Sequence, residues 1–386
     1  MIKSQKTFIL IYFFAFFWAL SGALVSYIQS SYLEQFVNTQ SVGWYVAVAT
    51  IVTLISLWLL PRYIRTYSNY RVSFVFIVLL AVSYFLLAHV ANLCFVLLFF
   101  TVNFAAATLL GLNIDVFLED ISENEKTGRI RTRFMTIINI AWVLAPMLMG
   151  KLVGFDSYAN VYFWSGIIIL PAMLLLFWER RVLGDKVEYK NRQFGRLGKI
   201  FSGNRNLRNI FITQFVLRLF YCWMVFYTPL YLHNNLGLDW TQIGAIFTVM
   251  LLPFIIFEIP AGFLADRYWG EKEIMIIGFL IMGGATAAIF FITSLSVAVW
   301  AAVLFLTRVG ASLVEAMQES YFFKIVDKQD IDLISLFRNL YPLSWLIGSL
   351  LAVVLLLFLP LSYLFLVLAA IVLYAVYPSA TLEDTR

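Results

Sequence analysis

Two long runs without a charged residue constrain this chain more than any other feature. Residues 72–114 contain 43 consecutive residues without Asp, Glu, Lys or Arg, and residues 339–382 contain 44. About 20 apolar helical residues cross a bilayer core about 30 Å thick, so each run is long enough for two helices joined by a tight turn. Both runs are apolar throughout, whereas the strands of a transmembrane β-barrel alternate in polarity. We therefore expect an all-α membrane protein.

The composition of the whole chain leads to the same class. Of the 386 residues 62% are hydrophobic and 13% are charged, against about 25% charged residues in an average soluble domain. The two cysteines, Cys94 and Cys222, fall in different apolar runs, so they indicate neither a disulfide framework nor a metal site. We expect no metal and no cofactor.

Charged residues and clusters of Pro, Gly and Asn divide the apolar runs into twelve predicted membrane helices. Their approximate ranges are 7–33, 43–61, 72–89, 94–118, 133–151, 159–178, 209–232, 241–264, 273–293, 296–322, 334–358 and 360–378. We interpret the first range as a retained helix, because it is much longer than the apolar core of a signal peptide.

The distribution of basic residues tests this count, because cytoplasmic loops of membrane proteins are enriched in Lys and Arg. With both termini in the cytoplasm, 24 of the 27 basic residues lie on the inner side. Lys151 faces outward, and Arg218 and Arg308 fall within helices. The asymmetry predicts a multi-pass protein of the plasma membrane, and it explains the net charge of +5 without a nucleic-acid partner.

A polar segment divides the twelve helices into two sets of six. We predict a six-helix bundle at 1–178, a cytoplasmic linker at 179–208 and a second six-helix bundle at 209–386. The linker portion FGRLGKIF is either a helix that lies on the inner leaflet or a plain solvated linker.

The two halves also resemble each other in sequence at a shift near 200 residues. SSYLEQF (30–36) resembles PLYLHNN (229–235), LLPRY (59–63) resembles LADRY (264–268), and RFMTIINIAW (133–142) resembles LFRNLYPLSW (336–345). Duplicated six-helix halves are typical of transporters, which hold substrate near the midplane between the halves.

The stretch GFLADRYWGEK (262–272) resembles the loop between the second and third helices of a six-helix half in the major facilitator superfamily. The matching residues are Gly262, Leu264, Ala265, Asp266, Arg267, Gly270 and Lys272. Two departures stand out: one extra residue separates Arg267 from Gly270, and Glu271 replaces the usual first basic residue. The first half has only LLPRYIRTYSNYR at this place, without the Gly and the Asp.

This resemblance implies the twelve-helix fold of that superfamily, with two pseudo-symmetric bundles. It implies a conformational gating role for the motif, in which Asp266 braces one half against the other near Arg131–Arg133. The alternative is that Asp266 and Arg267 are ordinary interfacial charges. Gly262 is expected to permit a close helix contact.

A second stretch, WVLAPMLMGKLVG in the fifth helix, resembles a degenerate motif of the superfamily's drug and proton antiporters. We expect Pro146 to bend that helix, and we expect Gly150 and Gly154 to allow close packing. A purely structural role, in which the proline bends the helix, explains this stretch nearly as well as a role in antiport.

Ionisable side chains inside a membrane cost about 2.5–3.5 kcal/mol each on insertion scales, so they need a cavity or a partner. The six candidates are Asp115, Arg218, Glu258, Arg308, Glu315 and Glu319. The resemblance implies a central cavity lined by helices one, four, seven and ten. All candidates except Glu258, on helix eight, fall on these helices.

Polar residues extend the candidate substrate site along the same helices. Helix ten carries Arg308, Ser312, Glu315 and Glu319 at helical spacing on one face, and helix seven carries Gln214, Arg218 and Tyr221. Helix four adds Asn103, and helix one adds Trp18. Because Arg308 and Glu315 lie about 10 Å apart along the axis, we predict that Glu315 pairs with Arg218 instead.

Carboxylates are the candidate proton carriers, because a carboxylate in a dry site binds a proton more readily than one in water. We rank Glu315 first among the candidate proton carriers, followed by Glu258 and Asp115. Each also has a structural interpretation: Glu258 precedes a proline kink at Pro260, and Asp115 and Glu319 can snorkel to the surface.

We therefore expect a secondary transporter rather than an enzyme, working by alternating access and coupled to protons or another ion. Proton-coupled efflux of small amphipathic compounds by antiport is the first hypothesis, and the excess of carboxylates among the six favours cationic ones. Uptake of a sugar or organic anion held by Arg218 and Arg308 is the second. A receptor or lipid scramblase on the same scaffold is a third. Besides membrane lipid we expect no protein partner, and thus a monomer.

Overall fold

The structure, a computed structural model, describes residues 5–121, 127–154, 157–178, 203–326 and 331–383. Within them, twelve helices are long and apolar enough to cross a membrane, which confirms the predicted all-α class. They are α1 Gln5–Ser26, α2 Thr39–Tyr67, α3 Asn69–His89, α4 Leu93–Ile121, α5 Thr127–Val153, α6 Tyr158–Trp178, α7 Arg205–Asn235, α8 Trp240–Trp269, α9 Glu271–Phe291, α10 Val297–Ile325, α11 Ile331–Leu356 and α12 Tyr363–Ala380.

The chain divides into two compact units, Met1–Lys190 and Asn191–Arg386. Unit 1 contains α1–α6 and unit 2 contains α7–α12. The division falls inside the predicted linker 179–208. The stretch FGRLGKIF within that linker lies outside the described residues.

Five pairs of packed helices recur in both units. In unit 1, α3 packs on α4 and α6, α2 packs on α4, and α1 packs on α5 and α6. In unit 2, α9 packs on α10 and α12, α8 packs on α10, and α7 packs on α11 and α12. Adding six to each helix number converts one set of contacts into the other, so the internal repeat seen in sequence is also a repeat in packing.

Polar side chains cap the N-termini of several of these helices. The Asn38 side chain accepts a hydrogen bond from the Ser41 amide at the start of α2, and Asn204 accepts one from Leu207 at the start of α7. At the start of α8, Asp239 and Gln242 form a reciprocal capping box. These side chains satisfy amides that have no partner within the helix.

The turn from α2 to α3 has the same backbone as the turn from α8 to α9. Ser68 caps α3 with φ 85° and ψ 153°, and Gly270 caps α9 with φ 91° and ψ 162°. Glycine adopts a positive φ without a steric penalty, whereas serine adopts it only at a steric cost. The sequence match of LLPRY with LADRY puts Arg65 opposite Gly270, but in the structure Ser68 holds that place.

Two of the predicted close contacts at glycines are wrong within the described residues. A Cβ atom on Gly262 would meet no atom of its unit within 4 Å, and the same holds for Gly154, which ends α5 with φ 53°. Instead, the close approach in unit 2 joins α9 to α10, where a Cβ atom on Gly278 would lie 2.9 Å from the Gly310 carbonyl oxygen. Helix ends and sequence motifs alone do not reveal which glycine faces a neighbour.

Candidate functional site

An ion pair between α7 and α10 forms the centre of the site. The Arg218 Nη1 atom lies 3.0 Å from the Glu315 Oε1 atom, which confirms the predicted pairing. The Tyr221 hydroxyl donates a hydrogen bond of 2.7 Å to the other carboxylate oxygen of Glu315. The Arg218 and Glu315 side chains keep 17% and 26% of their surface exposed, so the pair is not fully buried.

Gln214 holds the remaining donors of Arg218. Its amide oxygen accepts from Arg218 Nε at 3.1 Å and from Nη2 at 3.2 Å, and its amide nitrogen donates to Gln318 Oε1 at 2.7 Å. This orientation of the amide is the one that gives both atoms a partner. All three nitrogen atoms of the Arg218 guanidinium therefore have a partner, which fixes the orientation of the side chain.

Arg308 is the second cation of the site, and its surroundings are very different. Its side chain is 1% exposed, and its Cζ atom lies 5.0 Å from the Phe220 ring centroid and 5.4 Å from the Tyr221 ring centroid. Among the described residues, no atom accepts a hydrogen bond from its Nε or Nη1. Cation–π contact compensates part of the cost of burying this charge. Two buried donors nevertheless remain for a ligand to satisfy.

Packing against α11 holds α7 in position. Trp223 Nε1 donates a hydrogen bond of 2.8 Å to the Gly348 carbonyl oxygen, and the Phe226 and Trp345 rings meet edge to face at 5.3 Å. On the other side, the Tyr221 ring lies 6.3 Å from the Phe254 ring of α8. These contacts explain why α7 is the most buried of the twelve helices.

Glu319 and Glu258 complete the predicted charges of unit 2. Glu319 is half-buried one turn beyond Glu315 on α10, close enough to interact electrostatically with Arg218. Glu258 is half-buried at the first position of a helical segment of α8, just after a break at Phe257. The break agrees with the predicted kink at Pro260, which leaves a carbonyl without its helical partner. Glu258 does not join the Arg218–Glu315 cluster in any described contact.

The three site candidates of unit 1 lie on α1 and α4. Asn103 is 2% exposed and donates a hydrogen bond of 2.9 Å to the Ser83 hydroxyl of α3, inside the unit. Trp18 packs against Gly111, where a Cβ atom would lie 3.0 Å from the indole. Asp115 is half-buried on α4. These residues therefore do not form one cluster within unit 1, in contrast to Gln214, Arg218, Tyr221, Arg308 and Glu315 in unit 2.

The stretch 262–272, for which a gating role is predicted, contains one extra residue between Arg267 and Gly270. Ala265–Trp269 forms a π-helical turn, closed by a 3.0 Å hydrogen bond from the Gly270 amide to the Ala265 carbonyl. A π turn is the usual result of inserting one residue into a helix. Arg267 is exposed and stacks on Phe263 and Tyr268, at 5.6 Å and 5.8 Å from their centroids. The side chain of Asp266 lies outside the described part of the structure, so its bracing role stays a prediction.

The substitution at Glu271 has a structural partner. Glu271 is 1% exposed, accepts a hydrogen bond of 2.9 Å from Ser320 and forms an ion pair with Lys324 at the end of α10. The acidic residue on α9 is thus balanced by a basic residue on α10. Sequence reasoning missed this exchange, although Lys324 lies at the end of the helix that neighbours α9.

Sequence reasoning also missed Gln318 and Phe220, which contact the cluster directly. Gln318 follows Glu315 by three residues, so helical spacing alone puts it on the same face. Phe220 is an apolar residue in an apolar helix, and only the position of Arg308 reveals its role. No group of three or more His, Cys, Asp or Glu side chains in the described residues is arranged to bind a metal ion.

These observations define a multi-pass helical membrane protein that is built from two repeated six-helix units and carries an ionic cluster in the second. The chain belongs to the Major Facilitator Superfamily, whose family model matches residues 7–246 and 210–382. No curated relative matches the chain. Membership of this transporter family supports a membrane transporter.

Solved structures with the same fold include a bacterial homologue of the iron transporter ferroportin in the inward-facing state. It is 16% identical, with a TM-score of 0.75 and coverage of 98% of both chains. An auto-inhibited POT family peptide transporter is 11% identical, with a TM-score of 0.78 and coverage of 97% of this chain and 96% of that chain. A POT family transporter in complex with 5-aminolevulinic acid is 14% identical, with a TM-score of 0.77 and the same coverage. At these identities the likeness concerns the fold.

Proposed function

We propose that this protein is a proton-coupled transporter of small amphipathic compounds that carry an anionic group. The observation behind this proposal is Arg308, a buried guanidinium with two free donors, next to an ion pair whose carboxylate is already occupied. Guanidinium groups bind carboxylates and phosphates in planar, two-point geometry.

The charges at the site revise the expectation of a cationic substrate. Glu315 uses one oxygen for Arg218 and the other for Tyr221, so it offers little to an external cation. Arg308 has unsatisfied donors instead. The aromatic rings of Tyr221 and Phe254 supply an apolar surface near these donors for the rest of the substrate.

Glu315 is the proton carrier in this proposal. When its carboxylate takes up a proton, the ion pair with Arg218 loses its attraction, and Arg218 stays held by Gln214. Arg218 and Arg308 then share a net positive charge that attracts the anionic group of the substrate. Proton binding and substrate binding thus favour each other, which is the thermodynamic condition for proton symport.

This mutual dependence favours uptake of an organic anion by proton symport as the direction of transport. Efflux by antiport, the first hypothesis from the sequence, requires the proton and the substrate to exclude each other instead. The two hypotheses predict opposite effects of a pH gradient on accumulation.

The experiment uses the purified full chain in proteoliposomes. A library of small carboxylates is first screened for thermal stabilisation at two pH values, and the hits are then tested for transport under an imposed pH gradient. We expect stabilisation by carboxylates that is stronger at low pH and is lost in Arg308→Gln. Stabilisation by organic cations, unchanged in Arg308→Gln, would contradict the proposal.

A further inference from the structure

Unit 1 contains a crevice between α2, α3 and α4 that the transport mechanism does not use. Its volume is about 560 Å³. Its walls are mainly apolar, with Leu59 and Tyr63 on α2, Val75 on α3, and Leu109 of α4 among the lining residues. Two further lining residues, Tyr67 and Arg71, lie on either side of the α2–α3 turn.

The crevice runs along α2 for the depth of one membrane leaflet. It is lined from Ser56 to Tyr67, a rise of about 16 Å at 1.5 Å per residue. The hydrocarbon core of a bilayer is about 30 Å thick, so one leaflet supplies about 15 Å. One end of the crevice therefore lies at the predicted cytoplasmic surface, and the other end lies near the bilayer midplane.

The surface end of the crevice carries one basic lining residue, Arg71. Arg62 and Arg65 lie just before the turn, and no acidic residue occurs between Glu34 and Asp115. Within the described residues, Arg71 forms no ion pair with a carboxylate. Tyr63 and Tyr67 are 48% and 52% exposed at the same level. Tyrosines at the headgroup level and basic pockets between cytoplasmic helix ends are typical of sites for anionic lipids.

We propose that this crevice binds one anionic phospholipid, with an acyl chain along α2 and the phosphate at Arg71. The apolar length suits an acyl chain, and the basic end suits a phosphodiester that carries a net negative charge. A zwitterionic lipid satisfies the apolar part only. A free phosphate satisfies the basic part only. The site is separate from the Arg218–Glu315–Arg308 cluster, so the proposal does not depend on the transport mechanism.

The test measures lipid binding to the full chain, purified and delipidated in mild detergent, by native mass spectrometry. Dioleoyl-phosphatidylglycerol is compared with dioleoyl-phosphatidylcholine, which has the same acyl chains. Because a basic residue near the membrane surface contributes about 1 kcal/mol, we expect the anionic lipid to bind about fivefold more tightly. Arg71→Gln should remove this preference.

Matched variants separate the charge from the cavity. Arg208→Gln removes an exposed arginine on the same predicted side, at the start of α7, and should keep the preference. Val75→Trp fills the crevice and should weaken the binding of both lipids at this site. A phosphatidylglycerol with a photoreactive acyl chain should label residues of α2, α3 and α4 in the unaltered protein, which tests the site even if Arg71→Gln fails to fold.

Three results would overturn the proposal. Equal binding of the two lipids to the unaltered protein would remove the anionic lipid as the occupant. Labelling confined to other helices would put the lipid elsewhere. Competition by glycerol phosphate as effective as that by phosphatidylglycerol would identify a site for free anions.

Discussion

The two units share their packing but differ in the chemistry of their buried polar groups. In unit 1, α3 and α4 are joined by neutral hydrogen bonds: Asn103 donates to Ser83 at 2.9 Å and Asn113 donates to Ser73 at 3.0 Å. In unit 2, the equivalent helices α9 and α10 meet through Gly278 and Gly310. Unit 2 also has an ion pair, between Arg218 of α7 and Glu315 of α10.

This difference separates neutral hydrogen bonds in unit 1 from a charged pair in unit 2. Amide and hydroxyl hydrogen bonds involve neutral groups, whereas a carboxylate–guanidinium pair depends on the charge of both partners. In the proposed mechanism, unit 2 therefore carries the group that binds the proton, and these hydrogen bonds of unit 1 stay unchanged. The following predictions test this division, from the largest expected effect to the smallest.

Glu315→Gln should abolish proton-driven transport, with a loss of more than about 100-fold, because the amide cannot take up a proton and cannot form the ion pair with Arg218. The measurement is substrate accumulation in proteoliposomes under a pH gradient. Substrate exchange without a gradient should persist. Glu273→Gln is the control, since Glu273 pairs with its neighbour Lys272 on α9. Accumulation by Glu315→Gln at the unaltered rate would end the assignment of Glu315 as proton carrier.

Arg308→Gln should weaken binding of anionic substrates by about 10-fold to 100-fold, since charged hydrogen bonds contribute about 1.5–3 kcal/mol. Thermal stability without substrate should not fall, because the variant removes a buried charge whose Nε and Nη1 lack acceptors. Isothermal titration and thermal unfolding give the two quantities. Unchanged affinity together with a lower melting temperature would show that Arg308 is a packing residue held by Phe220 and Tyr221.

Gly310→Ala should destabilise unit 2 by about 1–3 kcal/mol, the usual cost of overpacking. The added methyl group would collide with the Gly278 carbonyl oxygen and with Met282 on α9. Gly284→Ala is the matched control on α9, because a Cβ atom there meets nothing within 4 Å. Thermal unfolding in detergent should separate the two variants; equal melting temperatures would contradict the close contact.

Asn103→Ala should cost about 1 kcal/mol or less, in the range of single hydrogen bonds between membrane helices. Its effect on stability should be the same at pH 5 and pH 8, since neither Asn103 nor Ser83 titrates in this range. Melting temperatures at both pH values, compared with those of Glu315→Gln, check this. A pH-dependent loss for Asn103→Ala would break the division between the units.

Much of the fold was predictable, because hydrophobic length and the distribution of basic residues carry the signal for membrane helices. The pair between Arg218 and Glu315 was also predictable, since helical spacing put each on one face and the cost of burial demanded a partner. Sequence alone could not show that Asn103 bonds within its own unit, because a polar residue on a membrane helix can satisfy itself on either side. The close contact at Gly278 rather than Gly262 likewise depends on the rotation of each helix about its axis.

Departures from the motif were harder to interpret, since an insertion or a charge reversal has no fixed structural meaning. The extra residue before Gly270 became a π turn, which left the following turn intact. The charge reversal at Glu271 was balanced by Lys324, some 50 residues later in the chain. Such compensation depends on which helices are neighbours, and this is known only once the fold is known.

The ion pair of Glu271 with Lys324 has a mechanical consequence for α10. It ties the end of α10 to the beginning of α9, and the Gly278–Gly310 contact holds the same two helices together near their middle. A helix that is held at two points along its length cannot move along its own axis relative to its neighbour. Any displacement of Glu315, which lies between the two attachments, must therefore move α9 as well or arise from bending of α10 between Gly310 and Lys324.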